Sequence, residues 1–272
     1  MFLALRELRF ARSRFGLMGG VIALISVLMV LLSGLSSGLV EDGVSGLKAT
    51  PVDGFAFSEG TKTDSAFSRS VVTDTQVEAW REQPGVEEAA PFGNMLVNAH
   101  NDKDVPVDLA LFGVPVDSFL EPSAAQGTGL GDPNGIVVSK SALDEGVALG
   151  DTVTIDRLGT ELKIVGITEG KQTFGHVDVA YLPIEMWRQL HSGVRPGEPV
   201  PAQSMTESTA VALKTEPGAT LDYAAGDAAA GTSTVALEDS FASSPGYSAE
   251  TMTLNLIKVF LYAVSALVVV AF

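Results

Sequence analysis

The feature that most constrains this chain is an uninterrupted apolar run near its start. Residues 15–40 form a stretch of 26 residues without a charged side chain. As an α-helix rising ~1.5 Å per residue, this stretch would be about 39 Å long, which exceeds the roughly 30 Å hydrocarbon core of a bilayer. The sequence therefore predicts a first transmembrane helix over residues 15–40, preceded by a short helix over residues 1–14.

A cleaved signal peptide is the alternative interpretation of the same run. Small residues around Ser36, Ser37 and Gly38 would suit a cleavage site. However, the run is about twice the usual ~7–15-residue apolar region of a signal peptide, and no A-x-A pattern follows it. Its length favours a span that stays in the membrane.

A second apolar run extends from Thr251 to the last residue, Phe272. After Lys258 it has only 14 residues, or about 21 Å as a helix, which is too short to cross a bilayer. A chain end inside lipid would leave backbone carbonyls without hydrogen-bond partners. We therefore expect residues 251–272 to be the start of a second transmembrane helix in a longer protein with further spans.

Charge is distributed unevenly along the chain. Residues 1–39 carry a net +3, whereas residues 40–253 carry a net −20, within a total of −16. The positive-inside rule places the N-terminal helix in the cytoplasm and residues 41–250 outside it. A chain this acidic repels phosphate, which argues against nucleic-acid binding. The sequence contains no cysteine, which excludes disulfides and cysteine-ligated zinc.

The first apolar run has two faces of interest. Small residues recur on one face, where Gly16 with Gly20 and Gly34 with Gly38 form small-xxx-small pairs that favour close helix packing. Glycine is also generally common in membrane helices, so composition alone is the alternative explanation. Another face carries Met29 near the bilayer centre, where a thioether could ligate haem iron, line a substrate cavity or simply fill space.

The middle of the chain, residues 41–250, reads as an α+β domain. Strand-like segments include VDGFAFS, FSRSVV, VPVDLALFGV and STAVALKT, and helical ones include DTQVEAWREQ and IEMWRQL. The alternation in GDTVTIDRLGTELKIVGITEG predicts a β-hairpin that turns at residues 157–159. Strands and helices are mixed without strict alternation, which is typical of the α+β class.

No catalytic or metal-binding motif is recognisable in this domain. His100, His176 and His191 lack metal-ligand spacing. The segment GLGDPNG lacks the lysine and following helix of a P-loop, and no G-x-S-x-G element occurs. We therefore expect no catalytic residue and no bound metal.

These parts, in this order, resemble the MacB/FtsX-type (type VII) ABC exporter permeases. The most specific match is VVSKSALDEGVALGDTVTIDRLGTELKIVGITE, residues 137–169, and residues 109–120 and VAYLPIEMWRQL also fit. The N-terminal part is most similar to the HrtB-type haem-efflux and DevC-like members. The resemblance implies a MacB-like periplasmic core domain and a multi-pass protein of the bacterial plasma membrane. It also implies a homodimer with a cytoplasmic ABC ATPase subunit, so that this chain itself is not an enzyme.

The haem-efflux branch of the family also suggests a cargo. It implies no resident cofactor but haem as a possible transported substrate, with Met29 and Tyr262 as candidate substrate-binding residues. Two other functions stay open at this stage. One is an FtsX-like mechanotransmitter that couples the ATPase to an extracellular partner such as a cell-wall hydrolase. The other is a membrane-anchored binding module without an ATPase.

Overall fold

The computed structural model describes residues 12–271 and separates into two units. One comprises Met1–Glu41 with Ala249–Phe272, and the other comprises Asp42–Ser248. Residues 1–11 of the expected N-terminal helix, and Phe272, lie outside the described residues. The helices are α1 (Arg12–Ala49), α2 (Ala66–Arg69), α3 (Asp74–Arg81), α4 (Ile184–His191), α5 (Tyr223–Ala230), α6 (Leu237–Ser240) and α7 (Tyr247–Ala271).

The strands all belong to the unit Asp42–Ser248, which we call the outer domain. They are β1 (Gly54–Ser58), β2 (Val72–Thr73), β3 (Val86–Asn101), β4 (Pro106–Val114), β5 (Ala124–Gly127), β6 (Gly135–Val138), β7 (Thr152–Ile155), β8 (Thr160–Thr168), β9 (Thr173–Phe174), β10 (Val177–Pro183), β11 (Glu207–Ser208), β12 (Ala210–Thr215) and β13 (Thr232–Ala236). This mixture of elements confirms the α+β class.

The other unit consists of apolar helix. Among the described residues, Gly19–Ala49 and Tyr247–Leu267 are each long and apolar enough to cross a membrane. Large apolar side chains on these helices, such as Leu24 and Leu256, are more than 60% exposed within this chain. Burial in lipid would remove that apolar surface from water, while the helical backbone satisfies its own hydrogen bonds.

The first part of the outer domain is a split βαβ arrangement. Its sheet has the order β13-β1-β12-β3, with every neighbouring pair antiparallel. Helix α3 follows β1 and α5 follows β12, which gives the β-α-β-β-α-β order of a ferredoxin-like fold. Thr73 caps the start of helix α3 and forms a capping box with Gln76. Trp80 on α3 is fully buried and packs over Gly226 of α5.

The second part of the outer domain is a closed six-stranded barrel. Strand β3 pairs with β4, β4 with β10, β10 with β6, β6 with β8, β8 with β7, and β7 returns to β3. The hairpin predicted within residues 150–170 is present as β7 and β8. Strand β3 has 16 residues, so that its first half lies in the split βαβ sheet and its second half in the barrel.

One strand prediction was wrong. The segment FSRSVV was expected to be extended, but its first residues form the one-turn helix α2, and only Val72 of this segment lies in a strand. Ala66 and Phe67 are both buried, and adjacent positions of a helix can face one core where alternating positions of a strand cannot. Phe67 packs edge-to-face against Phe57 and Phe174 at centroid distances of 5.1 and 5.6 Å.

Candidate functional site

The last turns of α1 lie within the outer domain. We call residues 42–49 the anchor segment. Its Val44 and Leu47 are completely buried in a core cluster that includes Phe112 and Val179. Full burial of two such side chains contributes about 3–6 kcal/mol, at ~1.5–3 kcal/mol for each. The anchor segment is therefore held chiefly by apolar packing.

Small residues allow the anchor segment to approach the sheet closely. A Cβ atom added at Gly46 would lie 2.6 Å from Val179 Cγ2 and 3.1 Å from the Thr173 carbonyl oxygen. Real Cβ atoms do not approach other atoms so closely, so any side chain at position 46 would force the helix away from β10. At Gly43, by contrast, the nearest atoms belong to His176 and lie at 3.7 and 3.8 Å, which is ordinary van der Waals contact.

Hydrogen bonds join the anchor segment to the hairpin of β9 and β10. The Thr173 amide donates to Ser45 Oγ over 2.9 Å, and the Gly175 amide donates to the Gly43 carbonyl over 2.9 Å. The same carbonyl accepts a 2.7 Å hydrogen bond from Ser244 Oγ, three residues before α7 begins. One carbonyl of α1 thus connects the hairpin with the segment that leads into α7.

Ion pairs surround this contact. Lys171 Nζ lies 2.5 Å from Asp42 Oδ1, and His176 Nδ1 lies 3.1 Å from Asp42 Oδ2. The hydrogen bond to Asp42 raises the pKa of Lys171. Because the Lys171 side chain is 58% exposed, we assign such a pair no more than about 1 kcal/mol. The ion pairs fix the orientation of the anchor segment, and its apolar contacts supply most of the energy.

A buried carboxyl group lies at the start of β10. Asp178 is 8% exposed and accepts a hydrogen bond from Ser141 Oγ. Burial raises the pKa of Asp178 above its usual value of 3.8. The folded state therefore favours the protonated form of Asp178. The stability that this form contributes is complete below the pKa of Asp178 in the unfolded chain. It is lost as the pH rises through the higher pKa of Asp178 in the folded protein.

We expect Asp178→Asn to be more stable than the wild type at pH 7, because the amide keeps the hydrogen-bonding oxygen and carries no charge to desolvate. The difference in thermal midpoint should shrink as the pH is lowered from 7 towards 4, because a growing fraction of the Asp178 carboxyl group is then protonated. Melting curves of both proteins across this pH range measure the effect, with Asp108→Asn, at an exposed carboxyl group of β4, as the control. A variant less stable than the wild type at pH 7 would contradict the expectation.

The sequence-predicted site residues lie in the apolar helices. Met29 is partly exposed on α1, and Tyr262 is 65% exposed on α7. The Tyr262 hydroxyl makes no hydrogen bond within residues 12–271. A Cβ atom added at Gly16, Gly20, Gly34 or Gly38 meets no described atom within 4 Å. The roles assigned to these residues stay predictions.

Sequence reasoning missed the anchor segment. Its signal was present: Gly43 and Gly46 lie one turn apart, alternate with the apolar Val44 and Leu47, and directly follow the first carboxylates after the apolar run. No group of three or more histidine, aspartate or glutamate side chains that could hold a metal ion occurs among the residues described.

Comparison with known proteins identifies a matching family and a similar relative. The family profile of the MacB-like periplasmic core domain matches residues 15–230. The chain is 26% identical over all its 272 residues to a putative hemin transport system permease protein HrtB from Staphylococcus haemolyticus (strain JCSC1435), and the match covers 71% of that relative.

The solved structures that are similar to this chain include two extracytoplasmic domains. The extracellular domain of the noncanonical ABC-type transporter YknZ from Gram-positive bacteria is 14% identical with a TM-score of 0.44, and the match covers 68% of this chain and 98% of that one. The periplasmic region of MacB from Actinobacillus actinomycetemcomitans is 11% identical with a TM-score of 0.48, and the match covers 71% and 92%.

Proposed function

We propose that this chain, which belongs to the MacB-like periplasmic core domain family and is an ABC transporter permease, exports haem or another hydrophobic or amphipathic compound from the membrane. A separate cytoplasmic ABC ATPase subunit supplies the hydrolysis, and the permease itself is not an enzyme. It lies in the bacterial plasma membrane as a multi-pass protein, with the arginine-rich N-terminus in the cytoplasm.

The observation that carries this proposal is the continuity of α1. The helix is described from Arg12, includes the apolar residues of the first candidate span, and ends at Ala49, with Val44 and Leu47 of its last turns buried in the core of the outer domain. We propose that the anchor segment passes a movement of this helix to the hairpin of β9 and β10, with which it shares hydrogen bonds.

A second copy of the chain is the partner we assign to the glycine face of α1. Gly16, Gly20, Gly34 and Gly38 are open within the described chain, and small residues permit close backbone contact in lipid. Van der Waals packing then supplies the association energy, since lipid tails are as apolar as the helices. None of the relatives described above favours the alternative of a mechanotransmitter for a cell-wall hydrolase.

Haem is the cargo favoured by the similarity to the putative hemin transport permease. The residues we assign to it are Met29, whose thioether is an axial ligand type for haem iron, and Tyr262, whose phenol is another. The stretch 15–40 contains no carboxylate, so carboxylate ligation from this segment is excluded. Haem would be a transported substrate and not a resident cofactor.

Titration of the full-length permease with haem tests this cargo. We expect a shifted Soret band, and about tenfold weaker binding for Met29→Ala, equivalent to about 1.4 kcal/mol. Met29→Leu keeps the apolar volume but removes the sulfur, so it separates iron ligation from space filling. Cells that express the permease with its ATPase should tolerate haem, and Met29→Ala should reduce that tolerance. An unchanged Soret band together with full haem tolerance in Met29→Ala would rule out this assignment.

A further inference from the structure

A cavity of about 450 Å³ lies in the outer domain where the split βαβ sheet meets the barrel. Its walls come from α2, the middle of β3, β9, the end of α4 and the segment before α7. Pockets for small molecules usually have volumes of ~300–1,000 Å³ and occur preferentially where two structural parts meet. The size and the position of this cavity are therefore those of a ligand site.

The rim of the cavity exposes apolar side chains. Val71 is 44% exposed and Leu96 is 46% exposed, and both line the cavity. Phe67 and Phe174 form buried apolar walls. A bound apolar group would cover Val71 and Leu96, and burying such side chains is worth about 1.5–3 kcal/mol each.

One buried polar group in the wall lacks a partner. Asn94 is only 6% exposed and lines the cavity, and its Nδ2 is buried without a hydrogen-bond acceptor among the described residues. An unsatisfied buried donor costs about 1–3 kcal/mol. A small shift of the side chain on binding would let a ligand oxygen accept from it. The cavity is thus matched to a molecule that carries an acceptor oxygen.

The charges of the wall cancel. Arg69 and Asp64 both line the cavity, with one positive and one negative charge. His191 also lines it and stacks on Trp187 at a centroid distance of 4.5 Å. Partial burial lowers the pKa of His191 below its usual value of 6.5, which favours the neutral ring. The lining as a whole favours neither an anion nor a cation.

We infer that this cavity binds an uncharged amphipathic molecule with one apolar chain and a head group of hydroxyl or carbonyl oxygens. The apolar chain covers Val71 and Leu96, and a head-group oxygen accepts from Asn94. This site belongs to the outer domain alone and does not depend on the cargo proposed for the transmembrane helices. Its occupancy bears on α1, because Phe174 in the wall precedes Gly175, whose amide binds the anchor segment.

Photolabelling of the full-length permease in lipid nanodiscs tests this site. The probe is monodecanoylglycerol with a diazirine in its acyl chain, and mass spectrometry measures labelling of the peptides that contain residues 64–71 and 94–96. We expect saturable labelling that unlabelled monodecanoylglycerol displaces, whereas decanoate and decyltrimethylammonium at equal concentration do not. Labelling that does not saturate would overturn the site, and equal displacement by a charged competitor would overturn the uncharged class.

Two variants make the test specific. Leu96→Asp places a charge on the apolar rim at an exposed position, so folding is retained, and labelling should fall about tenfold or more. Val105→Asp is the matched control, since Val105 is 40% exposed and does not line the cavity. Equal labelling in Leu96→Asp and the wild type, or an equal loss in both variants, would overturn the proposal.

Discussion

Trp187→Ala is expected to lower the free energy of unfolding of the outer domain by about 3–5 kcal/mol, the range for loss of a buried tryptophan. Trp187 is 1% exposed and lies across Gly93 of β3 and Gly113 of β4, which face each other in the strand pair. Its removal leaves a cavity beneath α4 in the barrel core. Chemical denaturation of the full-length permease and its variant, followed by tryptophan fluorescence, measures the loss.

A double-mutant cycle tests the physical reason. A Cβ atom added at Gly93 would lie 2.3 Å from the indole of Trp187, so Gly93→Ala alone should cost about 3 kcal/mol. In the Trp187→Ala background, Gly93→Ala should lower the free energy of unfolding only slightly, because the space that the indole occupied is then empty. The two effects would therefore be strongly non-additive. Additive losses, or a loss below about 1 kcal/mol for Trp187→Ala, would show that the indole is not tightly packed on the glycines.

Gly46→Leu is expected to detach the anchor segment from the outer domain. The new side chain would overlap the Val179 methyl group and the Thr173 carbonyl, at a cost of about 3 kcal/mol. This corresponds to a shift of about 100-fold in the ratio of anchored to detached helix. Amide hydrogen exchange of residues 42–49 should accelerate by a similar factor, because exchange reports such local opening. Export by the permease and its ATPase should fall in parallel.

Gly43→Ala is the matched control for this experiment. It lies one turn away on the same helix, and its added methyl group meets only ordinary contacts. Alanine also favours a helix over glycine by about 1 kcal/mol, so exchange should be unchanged or slower. Unaltered exchange in Gly46→Leu would contradict the tight packing at position 46. Accelerated exchange with normal export would contradict the role of α1 in coupling.

The parts of the fold that could be predicted are those encoded locally. Alternation of apolar and polar residues predicted the hairpin of β7 and β8, and the helical pattern of DTQVEAWREQ predicted α3. The segment at 66–69 was misassigned because four residues are too few to establish a period. Strand β9 has only two residues and depends on its pairing with β10, so no sequence pattern reveals it.

The candidate sites were less predictable because they depend on residues far apart in the chain. Asp42 meets Lys171 and His176 more than 120 positions later, and the Gly43 carbonyl accepts from Ser244, 201 positions away. The cavity likewise combines residues between positions 64 and 245. Barrel closure requires β7 to pair with β3, a contact that neither strand encodes alone. Local sequence patterns specify single helices and strands, whereas these sites form only when the strand order of the sheet brings distant residues together.

The barrel is, in topological terms, an insertion into the ferredoxin-like core. The chain leaves that core along β3 after Phe92 and returns to it at Ala210 of β12, and these two residues face each other as paired positions. A short turn could therefore replace everything between them without moving either strand. A chimeric protein that carries the barrel of a homologue is therefore simplest to make with its junctions at Phe92 and Ala210. The inserted segment need only start and end on these two neighbouring strands.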